Sequence, residues 1–497
     1  MSDQPGTAPS SYADLSWRAA IVRLAKQVGV YGFGNALQRL GAFFLLPLYL
    51  RFLSPDEYGL LALVGVIQFV LPAVLLAGAP AAITRYYHEW VREQSADRNL
   101  WMVWAIGTGT ALSLTAGLHY FGETLFHIAL KQVPFEPHGR LGLWWAFFSS
   151  LSLCPLMLLR IREHGQAYVS VSLISFLLGI ALNSYAVMNG WGVIGILQMQ
   201  VVAAACVGLW LSYWYVRQVR VSWSGAGIVR IFRVSLPLVG AGLLEAVAGR
   251  ADRLLLDKWV PLPEIGLYSL ANQFGQGVKF FYDSVKPAWV PFYIRVVGER
   301  QDAARFLGRV AGYYVALLGG VAIAVLLFGP LVVAWFSPGS DYQGALPLLP
   351  LFVGSYLLQG LVPIGIMAIM VSERTVWTTV IHLVQLAVLI GANLLLTPVW
   401  GVRGAAWALV AAYGIQGVLY LWFGQLCYPV QLAWTHFSFL LGSVALVIVA
   451  MLWWPTQGII AAFILLLVYI AAAFVLLRPA AMGTLGGLLS PRNRGAA

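Results

Sequence analysis

The pentapeptide WGVIG at residues 191–195 recurs as WGVRG at residues 400–404, 209 residues further along the chain. Each copy opens an apolar segment long enough to form a membrane-spanning helix. A second pair of similar stretches, PDEYGL at 55–60 and PEIGLY at 263–268, aligns at Gly59 and Gly266, 207 residues apart. Two matches at nearly one offset indicate an internal duplication of the chain.

The composition places the duplicated chain in a membrane. Of its 497 residues, 60% are hydrophobic and 10% are charged, whereas soluble proteins carry about 25% charged residues. Windows of about 20 apolar residues predict fourteen spans, near 27–50, 58–81, 99–120, 141–160, 167–188, 193–216, 234–256, 265–294, 306–335, 346–371, 375–397, 402–424, 434–453 and 457–477. The sequence therefore predicts an all-α integral membrane protein with fourteen transmembrane helices.

The duplication predicts how these helices are arranged. Six spans, an even number, separate the matched positions, so the two halves share one topology and are related by an axis along the membrane normal. We expect two pseudo-symmetric six-helix lobes around a central cavity, with two further C-terminal helices. The predicted divisions are a disordered cytoplasmic tail at 1–19, an N-lobe at 20–216, a cytoplasmic linker at 217–233, a C-lobe at 234–424, the last two helices at 425–478 and a cytoplasmic tail at 479–497.

The distribution of lysine and arginine sets the predicted orientation. With the N-terminus inside, twenty basic residues fall in the inner segments and five in the outer ones. Such a positive-inside bias places both termini in the cytoplasm. It also accounts for most of the net charge of +11 without a nucleic-acid partner.

Nothing in the sequence indicates catalysis. Between the predicted spans there is no domain-sized loop, and the chain contains no Asp-x-Asp pair and no G-x-x-x-x-G-K-[ST] phosphate loop. The three cysteines lack metal-ligand spacing. We therefore expect no enzymatic activity, no cofactor and no metal site.

Ionisable residues inside three predicted spans are the exception to this apolar pattern. The stretch GLLEAVAGRADRLLLDKWV at 242–260 carries six ionisable residues, four of them inside the seventh span, and in the eighth span polar residues follow one helical face. Charges within the bilayer normally face a water-filled cavity or one another. The candidate substrate-binding residues are Arg39, Arg250, Arg253, Lys279, Lys286, Asn35, Gln38, Asn272 and Gln276, and the candidate ion-coupling residues are Glu245, Asp252 and Asp283.

The alternative is that these charges pair with one another and hold the helices together. Asp252 with Arg253, and Asp257 with Lys258, are suitably placed for such pairs, and Glu245 could equally pair with Arg250. In the three spans, five bases stand against three acids, Glu245, Asp252 and Asp283. This surplus predicts a cationic cavity.

Several motifs resemble the polysaccharide transporters of the multidrug/oligosaccharidyl-lipid/polysaccharide flippase superfamily. The likeness covers residues 20 to 424. It rests on Gly34-Asn35-Ala36-Leu37-Gln38, Leu46-Pro47-Leu48-Tyr49 and Leu53-Ser54-Pro55-Asp56-Glu57-Tyr58-Gly59 in the first half, and on Ser235-Leu236-Pro237, Asp252-Arg253 and Gly266-Leu267-Tyr268-Ser269-Leu270-Ala271-Asn272 in the second.

The resemblance implies a flippase of the bacterial inner membrane. Such a protein moves a lipid-linked oligosaccharide, carried on undecaprenyl diphosphate, to the periplasmic leaflet by alternating access. A cationic cavity suits a diphosphate. The expected partners are this substrate and membrane lipids, with a polysaccharide polymerase or synthase as a further candidate. Two alternatives stay open: a flippase for a peptidoglycan lipid precursor, and a non-catalytic membrane partner of a polysaccharide synthase or polymerase complex.

Overall fold

A computed structural model describes residues 44–75, 78–223, 243, 246–247, 249–299, 301–337, 341–374, 376–453, 463, 466–467 and 469–471. The first half forms a helical N-lobe that begins with helix α1 at 44–52. Its other helices are α2 (Pro55–Leu75), α3 (Ala79–Arg92), α4 (Ala96–Phe121), α5 (Glu123–Ala129), α6 (Arg140–Ser150), α7 (Leu153–Ile161), α8 (Gly165–Met188) and α9 (Gly192–Arg217).

The second half forms the C-lobe and the start of the C-terminal segment. Its helices are α10 (Ala251–Trp259), α11 (Leu262–Glu299), α12 (Ala303–Phe336), α13 (Leu349–Gln359), α14 (Val362–Val371), α15 (Val376–Cys427) and α16 (Trp434–Trp453). Among the described residues, seven helical segments are long and apolar enough to cross a membrane. The fold is all-helical, as predicted, whereas the number of fourteen spans stays a prediction.

The spans are less continuous than hydropathy predicts. The fourth divides into α6 and α7, and the tenth into α13 and α14. In the seventh, predicted at 234–256, α10 begins only at Ala251, after a turn at Gly249 and Arg250. Conversely, α15 joins the eleventh and twelfth spans across a kink at Gly401. Hydropathy misses these breaks because it averages over windows of about 20 residues, which are longer than the turns.

The helix boundaries repeat between the lobes, as the duplication predicts. Helices α6 and α13 begin 209 residues apart, and so do α7 and α14. The backbone of Glu163, after α7, has a φ of 59°, and that of Glu373, after α14, has a φ of 58°. In each lobe the corresponding span is therefore divided into two helices, and the backbone makes a similar turn after the second helix.

The WGVxG motif occupies matching places in the two lobes. Gly192 has a φ of 61° and Gly401 a φ of 55°, a left-handed conformation that glycine adopts without steric cost. A Cβ at Gly192 would lie 3.3 Å from a carboxylate oxygen of Glu57, and a Cβ at Gly401 would lie 3.4 Å from one of Glu264. Both glycines are thus needed for the same turn beside the same type of acid.

The lobes pack against each other where α2 and α11 begin. A Cβ added to Gly59 would overlap the carbonyl oxygen of Leu262, and one added to Gly266 would overlap that of Pro55. The contact is therefore reciprocal, as expected for a pseudo-two-fold axis. We call this contact, together with the hydrogen bonds described next, the interlobe seal.

Hydrogen bonds between the lobes reinforce the interlobe seal. The Asp257 carboxylate accepts the backbone N–H groups of Lys131 at 2.5 Å and Gln132 at 3.1 Å. The Gln132 side chain donates to the carbonyls of Asp257 at 2.8 Å and Val260 at 2.7 Å. The predicted Asp257–Lys258 pair is therefore wrong, because Asp257 is buried against backbone donors while Lys258 is exposed.

A tyrosine of the C-lobe also contacts the N-lobe at the interlobe seal. The Tyr342 hydroxyl donates to the Leu53 carbonyl at 2.9 Å, and its ring meets that of Tyr58 edge to face. Burial raises the pKa of Tyr342 well above its usual range, so the hydroxyl stays protonated and remains a donor. All these contacts lie at the end of the lobes that the charge distribution predicts to face outward.

Substitution at either seal glycine should loosen the seal. Gly59→Ala and Gly266→Ala should act alike, because each Cβ would meet a backbone carbonyl of the other lobe, at a cost of about 1–3 kcal/mol for overpacking. The measurement is maleimide labelling of a cysteine placed at the buried Leu63, in a background without the three native cysteines. Gly65→Ala is the control, since nothing lies within 4 Å of its Cβ. Equal labelling in all variants would contradict the prediction.

Asp257→Asn should weaken the hydrogen bonds of the interlobe seal. An asparagine offers one acceptor oxygen where the carboxylate has two, and hydrogen bonds to a charged group are each worth about 1.5–3 kcal/mol. We expect faster labelling at position 63 in this variant. Lys258→Gln changes a neighbouring exposed residue and should label like the wild type; matching rates in the two variants would refute a role for Asp257.

Candidate functional site

The polar stripe of α11 becomes more exposed from one end to the other. Asn272 is 3% exposed, Gln276 and Lys279 are half-buried, and Lys286 is exposed. At a rise of 1.5 Å per residue, the stripe from Asn272 to Lys286 is about 21 Å long. The lobes are in contact beside its first residues at the interlobe seal, so the exposure of the stripe increases with distance from the seal.

The middle of the stripe contains an ion pair. Lys279 Nζ lies 3.7 Å from Asp283 Oδ2, and these side chains are 37% and 18% exposed. The same ammonium lies 5.4 Å from the centre of the Tyr282 ring. Both side chains of this pair are therefore only partly buried.

Arg250 lies at the break in the seventh predicted span and faces the other lobe. It is the residue immediately before α10. Its guanidinium carbon lies 4.6 Å from the centre of the Phe69 ring on α2. Its Nε is buried without a hydrogen-bond partner among the described residues. Broken helices with polar groups at the break are typical of transporter binding sites.

Asp252 and Arg253 form a pair inside the C-lobe. Both residues are 5% exposed. Arg253 Nη1 lies 3.8 Å from Asp252 Oδ2, and the Tyr268 hydroxyl donates to that same oxygen at 2.8 Å. The predicted alternative of mutual pairing is confirmed here. The expectation that Arg253 faces an open cavity is therefore wrong for this conformation.

Asn272 is likewise part of the C-lobe interior. The Tyr356 hydroxyl donates to its Oδ1 at 2.7 Å. Helical periodicity placed Asn272 on the same face as Lys279 but could not show that the first turns of α11 are covered by α13. Asn272 therefore does not line an open cavity in this conformation.

Four candidate residues lie outside the described residues: Arg39, Asn35, Gln38 and Glu245. The described candidates bring four bases, Arg250, Arg253, Lys279 and Lys286, and two acids, Asp252 and Asp283. Glu245, a third acid of the same lobe, is outside the described residues, so the surplus of two positive charges inferred from the sequence stays a prediction.

Sequence reasoning missed several neutral groups beside these charges. The Tyr282 hydroxyl donates to Gln359 Oε1, at the break between α13 and α14. Tyr314 donates to the Gly360 carbonyl at 2.7 Å and Trp289 to that of Pro363 at 3.1 Å. A glutamine within the tenth span was an available signal, whereas nothing marked the aromatic residues as different from ordinary core.

A surface cavity of about 680 Å³ occurs in the N-lobe, at the turn from α3 to α4. Both Arg98 and Arg220 line it, with Glu93 and Asp97. These opposite charges balance, so the cavity lacks the cationic surplus of the C-lobe. No group of three or more histidine, cysteine or acidic side chains that could hold a metal occurs in the part of the chain that the structure describes.

A family model described as polysaccharide biosynthesis protein matches residues 49–345. No curated protein sequence gives a significant match. Among solved structures, a lipid II flippase MurJ in an inward closed conformation superposes with a TM-score of 0.72 at 14% identity, covering 90% of this chain and 98% of that one.

Two multidrug transporters have the same fold. An inward-facing multidrug resistance MATE family transporter of the MOP superfamily gives a TM-score of 0.58 at 16% identity, over 82% of this chain and 97% of its own. A MATE transporter of Vibrio cholerae gives 0.53 at 14% identity, with the same coverage. Because the family match spans more than half of the sequence, the chain belongs to the polysaccharide biosynthesis protein family, with the all-helical fold of the MurJ and MATE transporters.

Proposed function

We propose that this protein is a flippase that moves a lipid-linked oligosaccharide across the bacterial inner membrane by alternating access. The lipid carrier is undecaprenyl diphosphate and the cargo is an exopolysaccharide repeat unit. Membership of the polysaccharide biosynthesis family supports the cargo class. Both termini are cytoplasmic in this proposal, and the protein transports its substrate without catalysing a reaction.

The observation that carries the proposal is the gradient of exposure along the cationic stripe. Lys286 is exposed and Lys279 is half-buried, and the Arg250 guanidinium lies against Phe69 of the other lobe. Charge-assisted hydrogen bonds are roughly twice as strong as neutral ones, so a diphosphate is a suitable ligand for these side chains. The sugar follows its diphosphate into the space between the lobes.

Asp252, Asp283 and Glu245 remain the proposed ion-coupling residues. Asp252 and Asp283 each have a basic partner at 3.7–3.8 Å. Protonation of either carboxylate would release that partner for the substrate. In this way an ion gradient could drive transport through the charges of the C-lobe.

Deletion of the gene tests the proposed function. We expect loss of surface polysaccharide and accumulation of undecaprenyl-diphosphate-linked repeat units in the inner leaflet, with normal amounts of peptidoglycan precursor. Accumulation of the peptidoglycan precursor instead would indicate the alternative cargo, which the fold shared with the lipid II flippase favours. Purified protein in vesicles should flip a fluorescent lipid-linked oligosaccharide, whereas a non-catalytic partner of a synthase would not.

A further inference from the structure

The contact between Arg250 and Phe69 joins the two lobes. Phe69 is on α2 of the N-lobe and is 49% exposed; Arg250 precedes α10 of the C-lobe. The guanidinium carbon lies 4.6 Å from the ring centre, a distance typical of cation–π contacts. The candidate site therefore includes a side chain from each lobe.

Stacking leaves the hydrogen-bonding edge of an arginine available. A guanidinium lies against an aromatic ring by its face, whereas its N–H groups point outward in its own plane and match a phosphate in two places. The Nε of Arg250 has no partner among the described residues. The contact with Phe69 thus holds the guanidinium beside α2.

Among the described residues, no acid forms an ion pair with Arg250. The Asp252 carboxylate lies against Arg253 at 3.8 Å and accepts the Tyr268 hydroxyl at 2.8 Å. The described residues at this level are therefore two arginines and one acid, and the acid is paired with Arg253. Arg250 lies on the side of the C-lobe that meets α2.

We propose that Phe69 is a positioning residue that orients Arg250 from the opposite lobe, so that affinity for the substrate diphosphate depends on how close the lobes are. The inference rests on the proposed function. Phe69 is ten residues from Gly59, about 15 Å along α2. When the seal opens, α2 moves away from the C-lobe, Arg250 loses the ring, and the diphosphate is released although no charge has changed.

Binding of undecaprenyl diphosphate to the purified full-length protein in nanodiscs tests this. Phe69→Leu should weaken binding by about two- to thirtyfold, the equivalent of a cation–π energy of about 0.5–2 kcal/mol at 1.4 kcal/mol per tenfold. Phe69→Trp keeps an aromatic face and should bind like the wild type. Thermal unfolding of the same samples establishes that the variants are folded.

A double-mutant cycle tests the dependence on the lobes. In a Gly59→Ala background the seal is already loosened, so Phe69→Leu should produce little further loss of binding. In a Gly65→Ala background, the added methyl group meets nothing within 4 Å. There, Phe69→Leu should weaken binding as much as it does in the wild-type protein. A coupling between positions 59 and 69 that is absent between 65 and 69 is the expected result.

Three outcomes would overturn the inference in distinguishable ways. Wild-type affinity in folded Phe69→Leu would eliminate the positioning role. An equal loss in the Gly59→Ala and Gly65→Ala backgrounds would eliminate the dependence on lobe separation. Failure of the wild-type protein to bind undecaprenyl diphosphate would reject the proposed function itself, and this inference with it.

Discussion

Lys279→Ala and Lys286→Ala should each abolish or sharply reduce export while leaving the protein inserted in the membrane. Lys286 is exposed and the Lys279 side chain is 37% exposed, so neither is part of the buried core. Removing one deletes charge-assisted hydrogen bonds to the diphosphate, each roughly twice as strong as a neutral bond. Surface polysaccharide and membrane abundance, measured in the same cells, separate lost transport from lost protein.

Asp283 separates a ligand role for Lys279 from a purely structural pair. Asp283→Asn should reduce export less than Lys279→Ala, because it removes a competitor for the ammonium. Exchanging the residues, as Lys279→Asp with Asp283→Lys, keeps a pair but moves the cation one helical turn, and should still impair export. Lys258→Ala is the control at an exposed lysine near the seal. Normal export by the exchanged protein, or loss of protein chiefly in Asp283→Asn, would favour the structural pair.

The duplication and the stripe could both be predicted because each depends on short-range sequence regularity. The WGVxG turns need glycine at a positive φ, so the same letters recur wherever that turn recurs. Polar residues at helical spacing share a face in any continuous helix. Each of these patterns lies within one short segment, so it can be identified from a single sequence.

Contacts between lobes could not be predicted in the same way. Asp257 binds the backbone N–H groups of Lys131 and Gln132, and backbone donors leave no mark on the sequence. Phe69 is one aromatic residue among many apolar ones. The break before α10 at Arg250 lies within the charged stretch at 242–260, where the charges indicated a polar site but did not indicate a turn. Each of these features depends on a partner more than 120 residues away or on tertiary packing.

The polar stripe of α11 has no counterpart on α2, the matching helix of the N-lobe. At the offset of 207 residues that relates Gly59 to Gly266, Asn272 corresponds to Gly65, Gln276 to Phe69 and Lys279 to Pro72. Helix α2 thus has small and aromatic residues where α11 has polar ones. In our proposal, α11 binds the diphosphate and Phe69 of α2 positions Arg250.

Breaking the Asp252–Arg253 pair should destabilise the protein more than any change in the stripe. Both residues are 5% exposed, and removing one partner of a buried pair leaves an uncompensated charge at a cost of about 3–5 kcal/mol. We expect Arg253→Met to reduce membrane abundance and thermal stability strongly, because Asp252 then keeps the hydrogen bond from the Tyr268 hydroxyl but loses its ion-pair partner.

The double variant Asp252→Asn with Arg253→Met should recover most of the lost stability, since replacing a buried pair by neutral residues of similar volume is often neutral or stabilising. Its asparagine still accepts the hydrogen bond from Tyr268. Export by this folded variant then isolates the role of Asp252. If that carboxylate couples transport to an ion gradient, the double variant should be stable but should not export. A stable double variant that exports normally would show that the pair serves only the fold. Asp283 and Glu245 would then be the remaining coupling candidates.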